Sequence, residues 1–427
     1  MMRSMYSGVS GLRIHQTKMD VIGNNIANVN TVGFKSSRAT FSEIFSQTVQ
    51  GASGANQNKG GTNPIQIGLG ATLGSIDVNM TEGASQRTDN PLDLKIEGEG
   101  FFVVSDITGN KFTRAGAFNI DSVGNLVSAS GLNLMGWGVG NDGEIQKNKV
   151  QPLRILSSEN VFSEPEMTSK AIIGGNINMN DPQLAITEGG VPFTMTIYDS
   201  LGYPYTAEMN VQETGTANEY DITMTDVTDQ NGVSIMGAAT GAVTITFDGA
   251  TGKITNTPAT FDITGLDTAN SDFSTIEVDF GSLTMFSGNT TIEARAGDID
   301  GLDSGNPAGT ISGYEISSDG KILGQYTNGS TKLLGQIAIA DFDNPAGLRK
   351  EGNNLFTATS NSGEFDGIGI DISSNGGAIN SGVLEMSNVD LSTEFTEMIT
   401  TQRGFQANSR IITSSDEMLQ ELVNLKR

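Results

Sequence analysis

Few residues of this 427-residue chain have the types and spacing that chemistry needs. The single histidine, His15, cannot build a histidine-rich metal site, and we expect it to pack at a subunit contact rather than to act as a proton switch. The pairs Asp89/Asp93 and Glu97/Glu99 could in principle serve glycoside hydrolysis. No nucleophile elbow, phosphate loop or histidine partner accompanies them, so we predict no catalytic residue, no cofactor and no enzymatic activity.

One acidic segment has the acid density of a calcium-binding loop. It contains Asp298, Asp300, Gly301, Asp303 and Asn306. Its glycine comes too early for EF-hand spacing, and no glutamate closes it. Because Asp, Asn and Gly dominate turns generally, we expect an acidic turn here and no metal.

The composition excludes other classes of function. A net charge of −25 without clustered Lys and Arg argues against nucleic-acid binding. Like-charged copies repel one another, so salt should favour any self-assembly. The absence of cysteine excludes disulfides and thiolate metal sites, and no residue run is apolar enough to span a membrane. The N-terminal residues do not have the pattern of a secretory signal peptide, so we expect export without a cleaved one.

Two apolar stripes lie at the two ends of the sequence. In the first thirty residues Met5, Leu12, Met19 and Ile26 recur every seven residues. In the last forty, the same spacing relates Leu391, Met398, Phe405, Ile412 and Leu419, with Phe395 beside them. A heptad spacing of apolar residues is typical of a coiled-coil seam.

Two interpretations of these stripes stay open at this point. The helices could be ordinary amphipathic helices that pack on the chain's own core. Alternatively, they need neighbouring molecules, because Gly8, Gly11 and Gly23 each cost the first helix about 1 kcal/mol relative to Ala. On the second interpretation, residues 1–30 and 388–427 are mobile in the monomer and helical in a polymer.

The last helix is the longest regular element that the sequence predicts. Ser387 followed by Asp390 fits a helix-start box. A helix from there to the chain end would have about 38 residues. Gly404 lies inside it and requires tight packing or curvature at that point.

Between the two helices the sequence is β-like. Apolar residues at helical spacing predict one short helix within residues 34–49, and a glycine-rich link follows over residues 51–61. From Ile65 the apolar period becomes two, Phe101–Val104 is a continuous apolar run, and a second β domain is predicted to begin near Ala171.

The predicted fold is mainly β with terminal α-helices. The N- and C-terminal helices form a coiled-coil-like inner core, with two nested antiparallel β domains outside. The predicted domains are residues 1–30 with 388–427 (polymerisation), 31–80 (connecting region), 81–171 with 306–387 (first β domain) and 172–305 (inserted second β domain).

Several motifs carry a family resemblance. The N-terminal motif consists of Asn24, Asn25, Ile26, Ala27, Asn28, Val29, Asn30 and Thr31, followed by Gly33, Phe34 and Lys35. It resembles the N-terminal signature of bacterial flagellar rod and hook proteins. Residues 387–391, 402–403, 405–408, 410–413 and 416–419 are similar to that family's C-terminal helix.

The resemblance implies a structural role. In this family, subunits polymerise helically into the flagellar axis, outside the cell. The implied partners are further copies of the chain, the distal rod protein, the hook cap, the hook–filament junction proteins and the type III export apparatus. Hook-like residues at Tyr198 and Gly335, and about 130 residues between Ala171 and Asn306, favour a hook subunit, a flexible joint that transmits torque, over a rod subunit. A secreted acidic calcium-binding β adhesin is the alternative from another class.

Overall fold

The computed structural model describes residues 2–54, 60–140, 142–235, 242–255, 260–263, 273 and 275–425. The chain forms two compact units. The first comprises Met1–Ser157, Glu315–Leu323 and Leu333–Arg427, and the second comprises Ser158–Tyr314 and Gly324–Lys332. Strands dominate both units, and a long helix lies at each end of the chain: α1 (Met2–Ala27) and α2 (Leu391–Asn424).

The strands alternate with short turns along the chain. The first unit begins with β1 (Ser37–Glu43), β2 (Ser46–Gln50), β3 (Ile65–Gly68), β4 (Ala71–Val78), β5 (Ser85–Arg87), β6 (Leu94–Glu97), β7 (Phe101–Asp106), β8 (Gly109–Thr113), β9 (Phe118–Ile120), β10 (Leu126–Ser128), β11 (Asn133–Trp137) and β12 (Gln151–Pro152). The second unit contains β13 (Phe162–Ser163), β14 (Lys170–Asn176), β15 (Val191–Tyr198), β16 (Pro204–Glu213), β17 (Glu219–Thr228), β18 (Ala242–Thr246), β19 (Thr260–Ile263), β20 (Ile276–Thr284) and β21 (Thr291–Ala296). The boundaries between the units fall within β22 (Gly309–Ile316), β23 (Lys321–Tyr326) and β24 (Thr331–Ile337). The first unit resumes with β25 (Ile339–Ala340), β26 (Arg349–Gly352), β27 (Leu355–Thr357), β28 (Ala378–Ser381) and β29 (Val383–Glu385).

The core of the first unit lies on a sheet in which β24, β11, β7, β8, β27 and β26 are successive neighbours. Phe101 and Val103 of β7 pack into a cluster with Phe112, Trp137 and other buried residues. Phe102, on the opposite side of the strand, packs against the Phe118 ring with ring centroids 5.3 Å apart. Because both faces of β7 are covered, its apolar run is continuous rather than alternating.

Two-stranded ribbons complete the first unit. β1 pairs with β4, β2 with β3, β6 with β28, and β5 with β29. The predicted short helix within residues 34–49 is therefore wrong, because β1 and β2 occupy this segment. Its apolar residues do not form one helical face: Phe41, Ile44, Phe45 and Val49 are all exposed. The helical spacing that suggested the helix is too short to separate helix from strand.

The second unit is built from two four-stranded sheets around one core. One sheet has the order β15-β16-β17-β18 and the other β19-β20-β14-β21. Strand β15 alternates, with Phe193, Met195 and Ile197 buried and the residues between them exposed. All pairings of this unit are antiparallel in the described residues except β14 with β20, which is parallel.

Candidate functional site

The two terminal helices pack against each other in the first unit, and they run antiparallel. The contacts that define the register are His15 with Gly404, Lys18 with Glu397 and Asn25 with Glu394. Residue numbers rise along α1 as they fall along α2. Helices α1 and α2, from the two ends of the chain, therefore form one antiparallel helix pair.

Most of the predicted seam residues are half-buried. Met5, Leu12, Met19 and Ile26 of α1 are half-buried, as are Met398, Phe405, Ile412 and Leu419 of α2. Leu391 and Phe395 are instead exposed to solvent. Only Ile22 among the apolar residues of the pair is fully buried in the described residues. A single chain thus leaves its own seam partly open.

A second set of α2 residues also faces α1, and the sequence analysis missed it. It consists of Glu394, Thr401, Asn408 and Ser415, which also recur every seven residues. Thr401 and Ser415 are buried to 2% exposure. In a coiled-coil seam, two columns offset by three or four residues face the partner helix. A search for apolar periodicity does not detect a column whose members are small or polar.

Glycine allows the helices to approach closely. A Cβ atom at Gly404 would lie 2.7 Å from the His15 ring, and a Cβ atom at Gly11 would lie 2.6 Å from Nδ2 of Asn408. This confirms that Gly404 is accommodated by tight packing. His15 packs within the chain, whereas the sequence suggested a contact between subunits.

The histidine environment disfavours its charged form. Desolvation, and secondarily the charge of Lys18, lower the pKa of His15. Its Nδ1 is buried and has no hydrogen-bond partner among the described residues. The neutral imidazole therefore fits this position better than the imidazolium.

The asparagines of the N-terminal motif have distinct positions. Asn25 is buried, and its Nδ2 donates to the Ser37 carbonyl (2.8 Å) and to Glu394 Oε1 (2.8 Å), while its Oδ1 accepts from the Ser37 amide (3.0 Å). It joins the end of α1, the start of β1 and the first turn of α2. Asn28 Nδ2 donates back to the Asn24 carbonyl at 2.9 Å, whereas Asn30 is exposed.

The residues that follow α1 pack against the β-strands of the first unit. Gly33 adopts φ +67°, and a Cβ atom there would lie 2.6 Å from the Ala115 amide nitrogen. Glycine is required both by this conformation and by this space. The Phe34 ring lies under Lys350, whose Nζ is 5.0 Å from the ring centroid.

A buried ion pair joins the segments that flank the two helices. Lys35 Nζ lies 2.7 Å from Glu385 Oε1, and these side chains are 1% and 0% exposed. Arg114 is 3.7 Å from the second carboxylate oxygen. The N-terminal sequence motif includes Lys35, but Glu385 was missed because nothing local in the sequence relates residues 350 positions apart.

Helix α2 begins at Leu391 with Asp390 as its N-cap. The Asp390 carboxylate accepts from the Ser392 amide at 2.9 Å, and its hydrogen bonds in this turn lower the pKa of Asp390. The prediction that Ser387 starts the helix is wrong, because the side chain nearest the free amides of the first turn is that of Asp390. The helix has 34 residues, against the 38 expected.

The outer surfaces of the helix pair are apolar at several places. The exposed large apolar side chains of these helices are Tyr6, Val9, Leu391, Phe395, Ile399, Ile411, Met418, Leu422 and Val423. Leu391, Phe395 and Ile399 are spaced four residues apart and so share one face of α2, and an exposed apolar face of this kind is typical of an interaction site.

The other acidic candidates have structural contacts. Asp298 Oδ1 accepts from the amides of Asp300 (3.0 Å) and Leu302 (2.9 Å), and Asp303 pairs with Lys170 at 2.8 Å. Within the described residues, no three His, Asp or Glu side chains converge as metal ligands. Asp89 pairs with Arg87 at 2.6 Å.

No described helix is both long and apolar enough to cross a membrane.

Comparison with known families gives four matches, which together cover most of the chain. Residues 5–35 match the flagella basal body rod protein family, and residues 380–425 match the flagellar basal body rod FlgEFG protein C-terminal family. Residues 95–187 match the flagellar hook protein FlgE/F/G D1 domain, and residues 166–301 match the flagellar basal body protein FlaE D2 domain.

Whole-length relatives agree. The flagellar hook protein FlgE of Borreliella burgdorferi is 39% identical over 100% of both chains. The chain belongs to the flagellar hook protein family. The FlgE of Treponema pallidum is 35% identical, and the flagellar basal-body rod protein FlgG of Bacillus subtilis is 33% identical, each over 100% of both chains.

Membership of this family establishes the class of function. The chain is a structural subunit of the bacterial flagellar hook. The rod alternative is not favoured, because most of the relatives named here and the hook-protein domain match point to the hook. The family is structural and is not a known enzyme family.

Proposed function

We propose that copies of this chain polymerise helically, through their terminal helices, into a flexible curved tube that connects rod to filament and transmits motor torque. The chain would act mechanically and would have no catalytic role. The observation that carries the proposal is the apolar surface that the helix pair leaves exposed, including Phe395 and Ile399 at 51% and 56% exposure. Neighbouring copies would bury this surface.

The proposed domains would build a tube whose inner helical contacts hold the subunits together. We propose that residues 1–30 with 388–427 form the polymerisation domain, that residues 31–80 connect it to the β domains, and that residues 81–171 with 306–387 and residues 172–305 form the outer domains. Heterologous contacts between identical copies generate helical assemblies when the rotation between them does not close a ring. The outer domains could then shift against one another while the inner contacts persist.

The proposed partners are flagellar. They are further copies of this chain, the distal rod protein, the hook cap, the hook–filament junction proteins and the type III export apparatus, which would export the chain without a cleaved signal peptide. The helices are proposed to gain order on assembly, since α1 contains three glycines and α2 leaves much of its apolar surface open.

Assembly can be tested at the exposed apolar surface. We expect Phe395→Asp to abolish sedimentable polymer in purified full-length chain, because a carboxylate would be buried without a partner. The far-UV circular dichroism of the monomer should be unchanged, since Phe395 faces solvent. Thr400→Asp, at an exposed position on a different face of α2, is the matched control and should assemble. Assembly of both variants would contradict the proposal.

The place of the chain in the flagellum can be tested in cells. In cells deleted for this chain, we expect isolated basal bodies to show complete rods that end without hooks by electron microscopy. Absent rods would indicate a rod subunit, and intact hooks would exclude both roles.

A further inference from the structure

The buried charges at the base of the helix pair form a closed cluster in the first unit. Lys35 Nζ donates to Glu385 Oε1 (2.7 Å) and to the Thr81 carbonyl (2.8 Å). Glu385 Oε1 also accepts from the Gly83 amide at 2.9 Å. Arg114 donates to the Gly98 carbonyl at 2.8 Å and faces the second oxygen of Glu385. Four separate segments of the chain therefore meet around one carboxylate.

The position of this cluster relates it to the helices. Lys35 follows the end of α1 by eight residues, and Glu385 precedes the start of α2 by six. The Gly33 amide donates to the Glu385 carbonyl at 2.8 Å, so the backbones of the two connections also touch. Asn388 adds bonds to the Asn79 and Thr81 carbonyls and accepts from the Ser36 amide. Both connections are thus held at one point.

Apolar residues could fill this place at no greater cost. Burying two cations and one carboxylate carries a large desolvation penalty, and desolvation is the main cause that lowers the pKa of Lys35 and of Arg114. Well-packed apolar side chains in place of a buried ion pair are often neutral or stabilising. What charged groups supply and apolar groups cannot is direction, because each bond here has one geometry.

We infer that Lys35, Glu385 and Arg114 are positioning residues that fix the direction in which the helix pair leaves the β part of the first unit, and that assembly depends on this direction. The inference rests on the proposed polymerisation through the helix pair. Copies in a helical polymer repeat the same contact many times, so a small error in the direction of the helices is repeated at every contact.

Packing limits the alternatives to this direction. A Cβ atom at Gly83 would lie 1.8 Å from the Met386 carbonyl oxygen, and a Cβ atom at Gly33 would lie within 2.7 Å of the Arg114 backbone. The backbones around the cluster are already at their closest approach. With the ionic bonds removed, the connections would keep the Gly33 backbone bond and the Asn388 bonds but would lose every directed bond to the Glu385 carboxylate.

The decisive variant is Lys35→Met with Glu385→Leu (the double variant), made together with Arg114→Met so that the third charge is not left buried without its carboxylate. Trp137 is the only tryptophan and lies in the core of the first unit, so its fluorescence reports folding there. We expect the double variant to keep the Trp137 unfolding transition. Its critical concentration for assembly should rise roughly tenfold or more, because the helix pair leaves in a wrong or variable direction. Lys35→Arg, which keeps the charge, should assemble better than Lys35→Met.

Two controls separate this inference from the proposed function. Lys170→Met with Asp303→Asn removes an ion pair of the second unit and should assemble like the original chain. If the unaltered chain fails to assemble at every protein and salt concentration tested, the proposed function fails. If it assembles and the double variant does so equally well, the positioning role is overturned. Loss of the Trp137 transition in the double variant would also overturn it, because the cluster would then be needed to hold the β fold.

Discussion

The helix pair and the second unit bury their apolar residues in opposite ways. The second unit encloses Ile197, Val211, Ile222 and Phe280 at 0% to 1% exposure between its own two sheets. The helix pair buries Thr401 and Ser415 fully but leaves Phe395, Ile399 and Leu422 exposed. The second unit therefore has a complete core of its own, whereas the helix pair has a core that further copies would complete.

The largest expected effect tests whether the second unit is self-sufficient. Phe280→Ala should destabilise that unit by about 3–5 kcal/mol, because it removes a buried aromatic ring and leaves a cavity. Urea unfolding of the full chain, followed by far-UV circular dichroism and by Trp137 fluorescence, measures this. The Trp137 transition should not move. A shift of that transition by the same amount would show that the two units unfold together.

The next effect tests the tight seam of the helix pair. Gly404→Ala places a methyl group 2.7 Å from the His15 ring, and overpacking of this kind costs about 1–3 kcal/mol. Thermal melting at 222 nm should show a less stable helical transition. Gly23→Ala is the control, since nothing lies within 4 Å of a Cβ atom there, and it should stabilise α1 by up to about 1 kcal/mol. Equal effects of the two substitutions would contradict the described seam.

A smaller effect comes from pH. The folded chain holds the pKa of His15 below its usual 6.5, so the unfolded chain binds this proton more readily. Stability of the helix pair should therefore rise as pH rises through the window just below 6.5, and fall again on acidification. Glu394 has the opposite sign, because burial raises its pKa. The measurement is the difference in helix melting between His15→Gln and the unaltered chain from pH 4 to pH 8 (roughly the range around the usual His pKa), and this difference should stop changing with pH above pH 7.

The smallest effect belongs to the ion pair on the edge of the seam. Lys18 Nζ lies 3.0 Å from Glu397 Oε2, and both side chains are partly solvated, at 24% and 44% exposure. Exposed pairs contribute about 0.2–1 kcal/mol, and salt screens them. A double-mutant cycle with Lys18→Met and Glu397→Gln should give a coupling energy in this range at low salt. A coupling that persists unchanged at high salt would mean that the pair is effectively buried.

The same contrast explains what the sequence could predict. Strand β15 was predictable because its inward residues alternate strictly, and the helices were predictable because Met398, Phe405 and Ile412 recur every seven residues. The polar column with Thr401 and Ser415 was not, because its burial depends on the partner helix and not on its own hydrophobicity.

Local errors have equally physical causes. Apolar residues of the ribbon β2–β3 lie on a surface that nothing in the described chain covers. Their spacing therefore does not report which face is buried, and it could not distinguish a helix from a strand. Asp390 replaced Ser387 as the cap because the backbone leaves its extended conformation only at Leu391. Contacts between distant residues, such as Lys35 with Glu385, have no signature in a single sequence.

The contact between Lys35 and Glu385 has a consequence for how such chains diversify. It joins two points that are 350 residues apart, so the segment between them is a long loop whose two ends meet at this contact. The entropic cost of closing such a loop grows only with the logarithm of its length, by about 0.6 kcal/mol for each doubling. Inserts of different size can therefore be exchanged in evolution, or grafted by an engineer as displayed cargo, without altering the anchor from which both helices depart.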